Sequence, residues 1–258
     1  MNRQPNWTRR DDELLWFRRR SFLQRATAWG LLGGFAGAHA QQRGNVIDLR
    51  GEVLVNGQVL AREQSVQTGD RIATGPGAHL VFVIGNSAFE VRENSRLTVE
   101  RGQSLHAVSV LRLLSGAVAS VWGRGESRSI VTPTATAGIR GTGVYAEVFP
   151  AQDNRTYLCN CYGTVDLQAG AESLVSTASY HQSFWAEAQP REGRLLRPAG
   201  AINHTDEELE YLAGLVDQRT AWQIAGVKGT KDGRGYLENQ TPQAHPAATP
   251  PAPARTPN

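Results

Sequence analysis

Only two cysteines and one methionine occur in 258 residues, and aromatic residues make up 7% of the chain. Two cysteines cannot staple a small secreted scaffold, so the fold has to rest on a packed core. Glycine (27) and proline (12) together are about 15% of the chain, below what collagen-like or low-complexity sequences carry. No apolar run reaches the roughly 20 residues of a membrane-crossing helix, which excludes a polytopic membrane protein. What is present is 40% hydrophobic residues, enough to exclude a wholly disordered chain. Charge of one sign is also scarce: Lys plus Arg is 27 and Asp plus Glu is 24, a formal net of +3. Seven of the arginines and three of the acids lie in residues 1–40. Residues 41–258 therefore hold 20 basic and 21 acidic groups, a net of −1. A nucleic-acid-binding domain would keep its positive charge in the folded part, so no nucleic-acid partner is expected.

Residues 1–40 have the form of an address rather than of a fold. Charged residues run to Arg20, and Arg18-Arg19-Arg20-Ser21-Phe22-Leu23-Gln24 contains Arg-Arg-x-Phe-Leu-polar. A weakly apolar, glycine-broken stretch follows from Ala26 to Ala38, and Ala38-His39-Ala40 has the small-x-small form of a cleavage site. Thirteen residues at 1.5 Å each span about 20 Å, short of the roughly 30 Å hydrocarbon core. The segment resembles a twin-arginine signal peptide, the bacterial route that exports folded proteins. The resemblance implies removal after Ala40, a mature chain without a transmembrane span and a periplasmic location.

Between Gln41 and about Trp185 the sequence is a series of short strands broken by turn residues. Val53-Leu54-Val55 and Gln58-Val59-Leu60 flank Asn56-Gly57, a strong type I′ hairpin signal. Gly69-Asp70 and Gly75-Pro76-Gly77 bracket Arg71 to Thr74, and His79 to Ile84 is an apolar run. Residues 88–92 and 96–100 alternate with period two. Val108 to Leu114 and Ala117 to Trp122 are two further strands split by Ser115-Gly116. Ile130 to Thr132, Val144 to Phe149, Thr156 to Cys161 and Thr164 to Leu167 complete the series. With no helical pattern among them, the expectation is a mainly β fold, solenoid-like or a sandwich. Thr205-Asp206-Glu207-Glu208 then has capping-box spacing, and Leu209, Leu212, Leu215 and Val216 recur at helical intervals. They predict one amphipathic helix from about Asp206 to Arg219 that covers an edge or face of the β-domain. The organisation expected is a signal peptide over 1–40, a β-domain over 41–190, a helical extension over 191–225 and a disordered tail, glycine- then Pro/Ala-rich, over 226–258.

Several of these elements carry a resemblance. They are Gly51-x-Val53-x-Val55-Asn56-Gly57, Gly69-Asp70-x-Ile72-x-Thr74-Gly75 and the run Leu111 to Ala117. The most specific is Thr132-Pro133-x-Ala135-x-Ala137-Gly138-Ile139-Arg140-Gly141-Thr142. Over about 120 residues the chain resembles the FecR-like periplasmic domain. The resemblance implies an all-β, solenoid-like fold and an envelope role in signalling or ligand binding, with an envelope protein or small ligand as partner, and no catalysis. The cytoplasmic anti-sigma domain and transmembrane helix of such proteins have no counterpart in the 17 residues ahead of the twin-arginine region.

Two groups of residues could carry chemistry. In the Gly138–Gly143 segment, three glycines in six residues permit close backbone approach. Arg140, Gly141 and Thr142 either cradle an anion or form a tight bend with Arg140 bonded to backbone carbonyls. The second group is built on the two cysteines, Cys159 and Cys161. On a strand, residues two apart share a face, which would present both sulfurs together as a clamp for a soft transition metal such as zinc, copper or iron. His181 and His204 are the candidate remaining ligands, and Asp206 could orient His204. A disulfide in an oxidising compartment, a redox pair and simple packing of small apolar side chains stay open, as does packing of His181 against Trp185. No Gly-x-Ser-x-Gly elbow, His-Glu-x-x-His motif or carboxylate pair is found, so no catalytic residue is assigned and no enzyme is expected. The functions expected are a sensing, ligand- or partner-binding module of the envelope or, alternatively, a periplasmic metal-binding or redox protein.

Overall fold

Period-two alternation is realised as strands from Val46 to Ala199 in the computed structural model, which describes residues 44–102, 107–125 and 127–229. The export segment expected over 1–40 and the tail beyond Gly229 lie outside the described residues. The strands are β1 (Val46–Arg50), β2 (Val53–Val55), β3 (Gln58–Val59), β4 (Arg71–Thr74), β5 (His79–Ile84), β6 (Ser87–Val91) and β7 (Arg96–Arg101). They continue as β8 (Val108–Trp122), β9 (Arg128–Val131), β10 (Thr136–Phe149), β11 (Arg155–Ala169), β12 (Glu172–Ala178), β13 (Gln182–Arg191) and β14 (Arg194–Ala199). All fourteen belong to one sheet, which is not closed into a barrel, so the chain is mainly β. Asn56 (φ 53°) and Gly57 (φ 83°) make the expected hairpin turn, with Leu54 opposite Val59.

Two expected strand breaks are bends inside longer strands. Val108–Leu114 and Ala117–Trp122 are the two halves of β8; Thr156–Cys161 and Thr164–Leu167 are parts of β11. Gly116 (φ 73°) and Gly163 (φ 95°) turn the backbone through the left-handed region without ending the strand. A Cβ at Gly163 would lie 2.7 Å from that of Thr142. Partners change at each bend. Before Gly116, β8 pairs with β7 and, in parallel, with β9; beyond it the partners are β6 and β10. Likewise β11 pairs with β13 before Gly163 and with β12 after it. The sheet thus folds over one interior in which Phe82, Phe89, Leu111, Trp122, Ile130 and Leu158 meet.

Beyond its bend, β8 is buried on both faces. Val118 and Trp122 enter the interior, whereas Ala117, Ala119 and Val121 join Val81, Ala88, Tyr145, Tyr157 and both cysteines in a second, smaller core. The small alanine side chains leave room for a helix, and Leu209, Leu212 and Ala213 of α1 (Asp206–Gly214) fill it. The capping box forms as expected: the Glu208 N–H donates to Thr205 Oγ1 (3.2 Å) and the Thr205 N–H to Glu208 Oε2 (2.8 Å). The helix stops at Gly214, short of Arg219, and the chain turns through Asp217 (φ 54°). A second capping box, Thr220 with Gln223, then starts α2 (Ala221–Ala225), an element the hydrophobic periodicity does not predict. Among the described residues no helix is long and apolar enough to cross a membrane.

Candidate metal centre

Cys159 sits in β11 opposite Tyr145 of β10 and Ser183 of β13. In the next pairs Val144 faces Asn160 but Gly143 faces Tyr162, so Cys161 is the extra residue of a β-bulge. Both sulfurs lie under the helices, fully buried and 3.7 Å apart. His181 occupies the turn between β12 and β13, where its N–H donates to the Cys161 carbonyl (2.9 Å). Its φ of 25° is unusual for a residue with a Cβ, the kind of local strain that persists where the surroundings fix it. His204 precedes the Thr205 cap of α1 and follows Asn203, itself at φ 59°. The fold therefore gathers Cys159, Cys161, His181 and His204 from three separate segments, with one ligand atom of each inside 4.8 Å of all the others.

The outward nitrogens fix the state of both imidazoles. His204 Nδ1 donates to the Ile202 carbonyl (2.6 Å), which can only accept. His181 Nε2 donates to Asp206 Oδ1 (3.1 Å), while Lys228 Nζ lies 2.9 Å from Asp206 Oδ2. Each neutral ring then has its remaining lone pair on the inward nitrogen. Those two nitrogens, His181 Nδ1 and His204 Nε2, are 2.9 Å apart, and Cys159 Sγ is 3.5 Å from the former. Two lone pairs facing each other beside two sulfurs in a buried site require a cation between them, either a proton or a metal ion.

The electrostatics favour negative charge on Cys159 beside positive charge on His204. Burial pushes the Cys159 thiol up, but the bond donated by the Cys161 thiol and the nearby imidazoles outweigh it and hold Cys159 well below the usual thiol range. Burial pushes Cys161 up, and the neighbouring Cys159 sulfur adds to it. Burial opposes charge on His204, and the Cys159 sulfur overrides it to raise that imidazole.

Three of the six donor separations come close to those around a single tetrahedral ion, and all six are within 4.8 Å. With metal–sulfur bonds of about 2.3 Å and metal–nitrogen bonds of about 2.0–2.1 Å, tetrahedral edges are about 3.8 Å for S···S, 3.6 Å for S···N and 3.3 Å for N···N. The 3.7, 3.5 and 2.9 Å separations lie within about 0.4 Å of those edges. A two-iron cluster would place the sulfur pair and the nitrogen pair on different metals and hold them apart, contrary to this close set. Both cysteines are free thiols in this structure.

Aromatic rings close the site. Tyr145 stacks on His204 (4.7 Å between centroids), Trp222 stacks on His181 (5.2 Å) and Tyr180 meets His181 edge-on. Two expectations are corrected here. Asp206 orients His181 rather than His204, because the turn ahead of α1 aims the His204 Nδ1 at a backbone carbonyl. His181 packs on Trp222 rather than Trp185, whose ring is covered by the Arg155 guanidinium. Trp222 and Lys228 were missed, although the Thr220-x-x-Gln223 spacing marks the helix that carries Trp222. Arg140, Gly141 and Thr142 lie apart from this cluster, at the register break of β10. Arg140 pairs with the Asp166 carboxylate (2.6 and 3.0 Å) rather than with carbonyls. Thr142 is buried and donates to Asn160 Oδ1 (3.1 Å), between the two cysteines.

No family model matches the chain, and no curated protein matches it. Two solved structures of a protein provisionally described as an anti-sigma factor from Parabacteroides distasonis are similar over part of the chain. The first has a TM-score of 0.43 at 11% identity, covering 56% of this chain and 65% of that one. The second has a TM-score of 0.43 at 10% identity, covering 58% and 66%. The chain thus spans just under two thirds of the length of these neighbours, a likeness too distant to carry a function.

Proposed function

We propose that the chain is an exported β-domain that holds one divalent, thiophilic metal ion, zinc in the first instance, between Cys159, Cys161, His181 and His204. The observation that carries this reading is the convergence of two sulfurs and two ring nitrogens, all within 4.8 Å of one another, with each ring's outward nitrogen bonded to an acceptor. Two thiolates and two neutral imidazoles carry a charge of −2, which a divalent ion cancels in a buried site and a monovalent ion does not. All four positions are supplied by the protein, so no open position is left for a substrate, as in non-catalytic centres. The twin-arginine segment supports the reading, since folded export allows the ion to be loaded before translocation. In this view the domain is a non-enzymatic, periplasmic sensing or partner-binding module of the kind implied by the FecR resemblance, with the ion as the element it holds.

The test is elemental analysis with a thiol count on full-length chain purified without chelator and exposed to excess zinc. One zinc per chain is expected in the wild type, and loss of it in Cys159→Ser. Cobalt should replace zinc with the intense thiolate-to-metal absorption of a tetrahedral sulfur-ligated ion. A wild-type chain that retains no ion after removal of excess zinc overturns the proposal.

A further inference from the structure

We infer that the centre fastens residues 201–229 over the second face of the sheet, so that ion occupancy is converted into closure of this C-terminal cover; the inference rests on the metal reading above. Three of the four ligands belong to the sheet side: Cys159 and Cys161 on β11, and His181 in the β12–β13 turn. The fourth, His204, belongs to the segment that leads into α1. Asp206, the first residue of α1, accepts from His181 Nε2, and Lys228 beyond α2 reaches the same carboxylate. Trp222 of α2 lies on the His181 ring. Approach, helix and distal end of the cover thus all meet at the centre or at the residue that orients one of its imidazoles.

The other polar ties lie apart from the four donors. Arg92 pairs with Glu208 (2.6 Å) and donates to the Asn203 carbonyl, and Asn203 Nδ2 donates to Glu147 (2.8 Å). The Ile202 N–H donates to the Tyr157 hydroxyl (3.1 Å), the Tyr180 hydroxyl donates to Asp206 (3.1 Å) and Gln218 donates to the Asn86 carbonyl (3.4 Å). Beneath α1 the sheet offers the small side chains of Ala88, Ala117, Ala119 and Val121, while Trp222 of α2 packs edge-on against Tyr162 and Tyr180. Lifting the cover takes His204 away from the other three donors, so the open form lacks the site. Any species that binds only the closed form suppresses opening in proportion to its excess over Kd, about a thousandfold when free ion is a thousand times Kd.

Hydrogen exchange on the full chain tests this, with zinc alone as the probe and the metal content of each sample measured. After chelation, the amides of Leu209, Leu212 and Ala213 should exchange well ahead of those of Leu97 and Leu111 in β7 and β8. Zinc should slow the α1 amides by up to that thousandfold and close the gap. Arg92→Ala should hasten α1 exchange in both states and leave the zinc response in place. Stoichiometric zinc with unchanged α1 protection overturns the cover while leaving the metal centre standing. Loss of the zinc response in Arg92→Ala also overturns it, since closure would then depend on the ion pair. Absence of bound zinc overturns both.

Discussion

The molecule has two cores that obey different rules. The interior between the arms of the sheet is filled by Phe82, Phe89, Leu111, Trp122, Ile130 and other apolar side chains. A polar group there is satisfied locally: the Ser120 hydroxyl donates to the Val144 carbonyl and accepts from Trp122 Nε1. The second core, between the sheet and the helices, is smaller and holds two thiols, a buried histidine, Asp206 and the rings of Tyr145, Tyr157, Tyr162 and Tyr180. Leucine and valine would fill the same space with more stability and no desolvation cost. A cluster of polar groups converging on one point is therefore better explained by a ligand than by folding. On the proposed reading, the contrast separates the part that keeps the sheet folded from the part that would respond to an ion.

The largest effect should come from the first core. Trp122 is fully buried, edge-on to Phe89, and Trp122→Ala should cost about 3–5 kcal/mol in denaturant unfolding. The loss should be equal with zinc and with chelator. A loss that zinc repairs would mean that the two cores are not energetically distinct.

Next comes the centre itself. At free zinc a thousand times Kd, the ion should add about 4 kcal/mol to wild-type stability. His181→Ala should remove that increment while changing stability much less in chelator. A variant equally destabilised in both conditions would make His181 an ordinary packing residue.

A finer division is available at Asp206, which touches no inward donor atom. Asp206→Asn keeps size and one acceptor oxygen but removes the charge that holds the His181 Nε2 proton. Zinc affinity should fall about 10–100-fold, the range seen when partners of metal-bound histidines are altered. The readout is competitive titration against a chromophoric chelator, with the stability of the chelated protein as control. Unchanged affinity would remove Asp206 from the centre and leave it as a helix-start carboxylate.

Much of this was legible in the sequence because the signals are local. Alternation marks the strands, Asn56-Gly57 makes its turn and the Thr205–Glu208 spacing starts its helix. Cys159 and Cys161 share a face as residues two apart on a strand do, and the bulge at Cys161 leaves their sulfurs 3.7 Å apart. What stayed hidden depends on partners distant in the chain. Glycine inside a strand pattern signals an ending, and only the change of partners at Gly116 and Gly163 shows it to be a bend. The direction of Asp206 follows from the turn through Asn203, which residue type alone does not set. Lys228 gives no signal, since a lysine in a glycine-containing stretch with Lys231 three residues on has nothing to mark it as a partner of Asp206.

The smallest effect sharpens the comparison from outside both cores. His79, on β5, bridges two carboxylates: its Nε2 is 3.1 Å from Glu90 Oε1 and its Nδ1 is 3.4 Å from Asp48 Oδ2. The hydrogen bond to Glu90 outweighs the burial that opposes charge, the Glu90 and Asp48 charges add to it, and the His79 pKa is raised above 6.5. A group whose folded pKa is raised contributes stability that is complete below its unfolded pKa and is lost as pH rises through the folded value. The wild type should therefore exceed His79→Gln in melting temperature at about pH 6 and lose that advantage toward pH 9. The contribution should be about 1 kcal/mol or less, as for other partly exposed ion pairs. Chelator is kept present throughout, because proton competition at the thiols and imidazoles makes ion binding pH-dependent in its own right. An advantage that grows with pH would reverse the sign, and would place the pH response of the fold in the second core rather than at this rim.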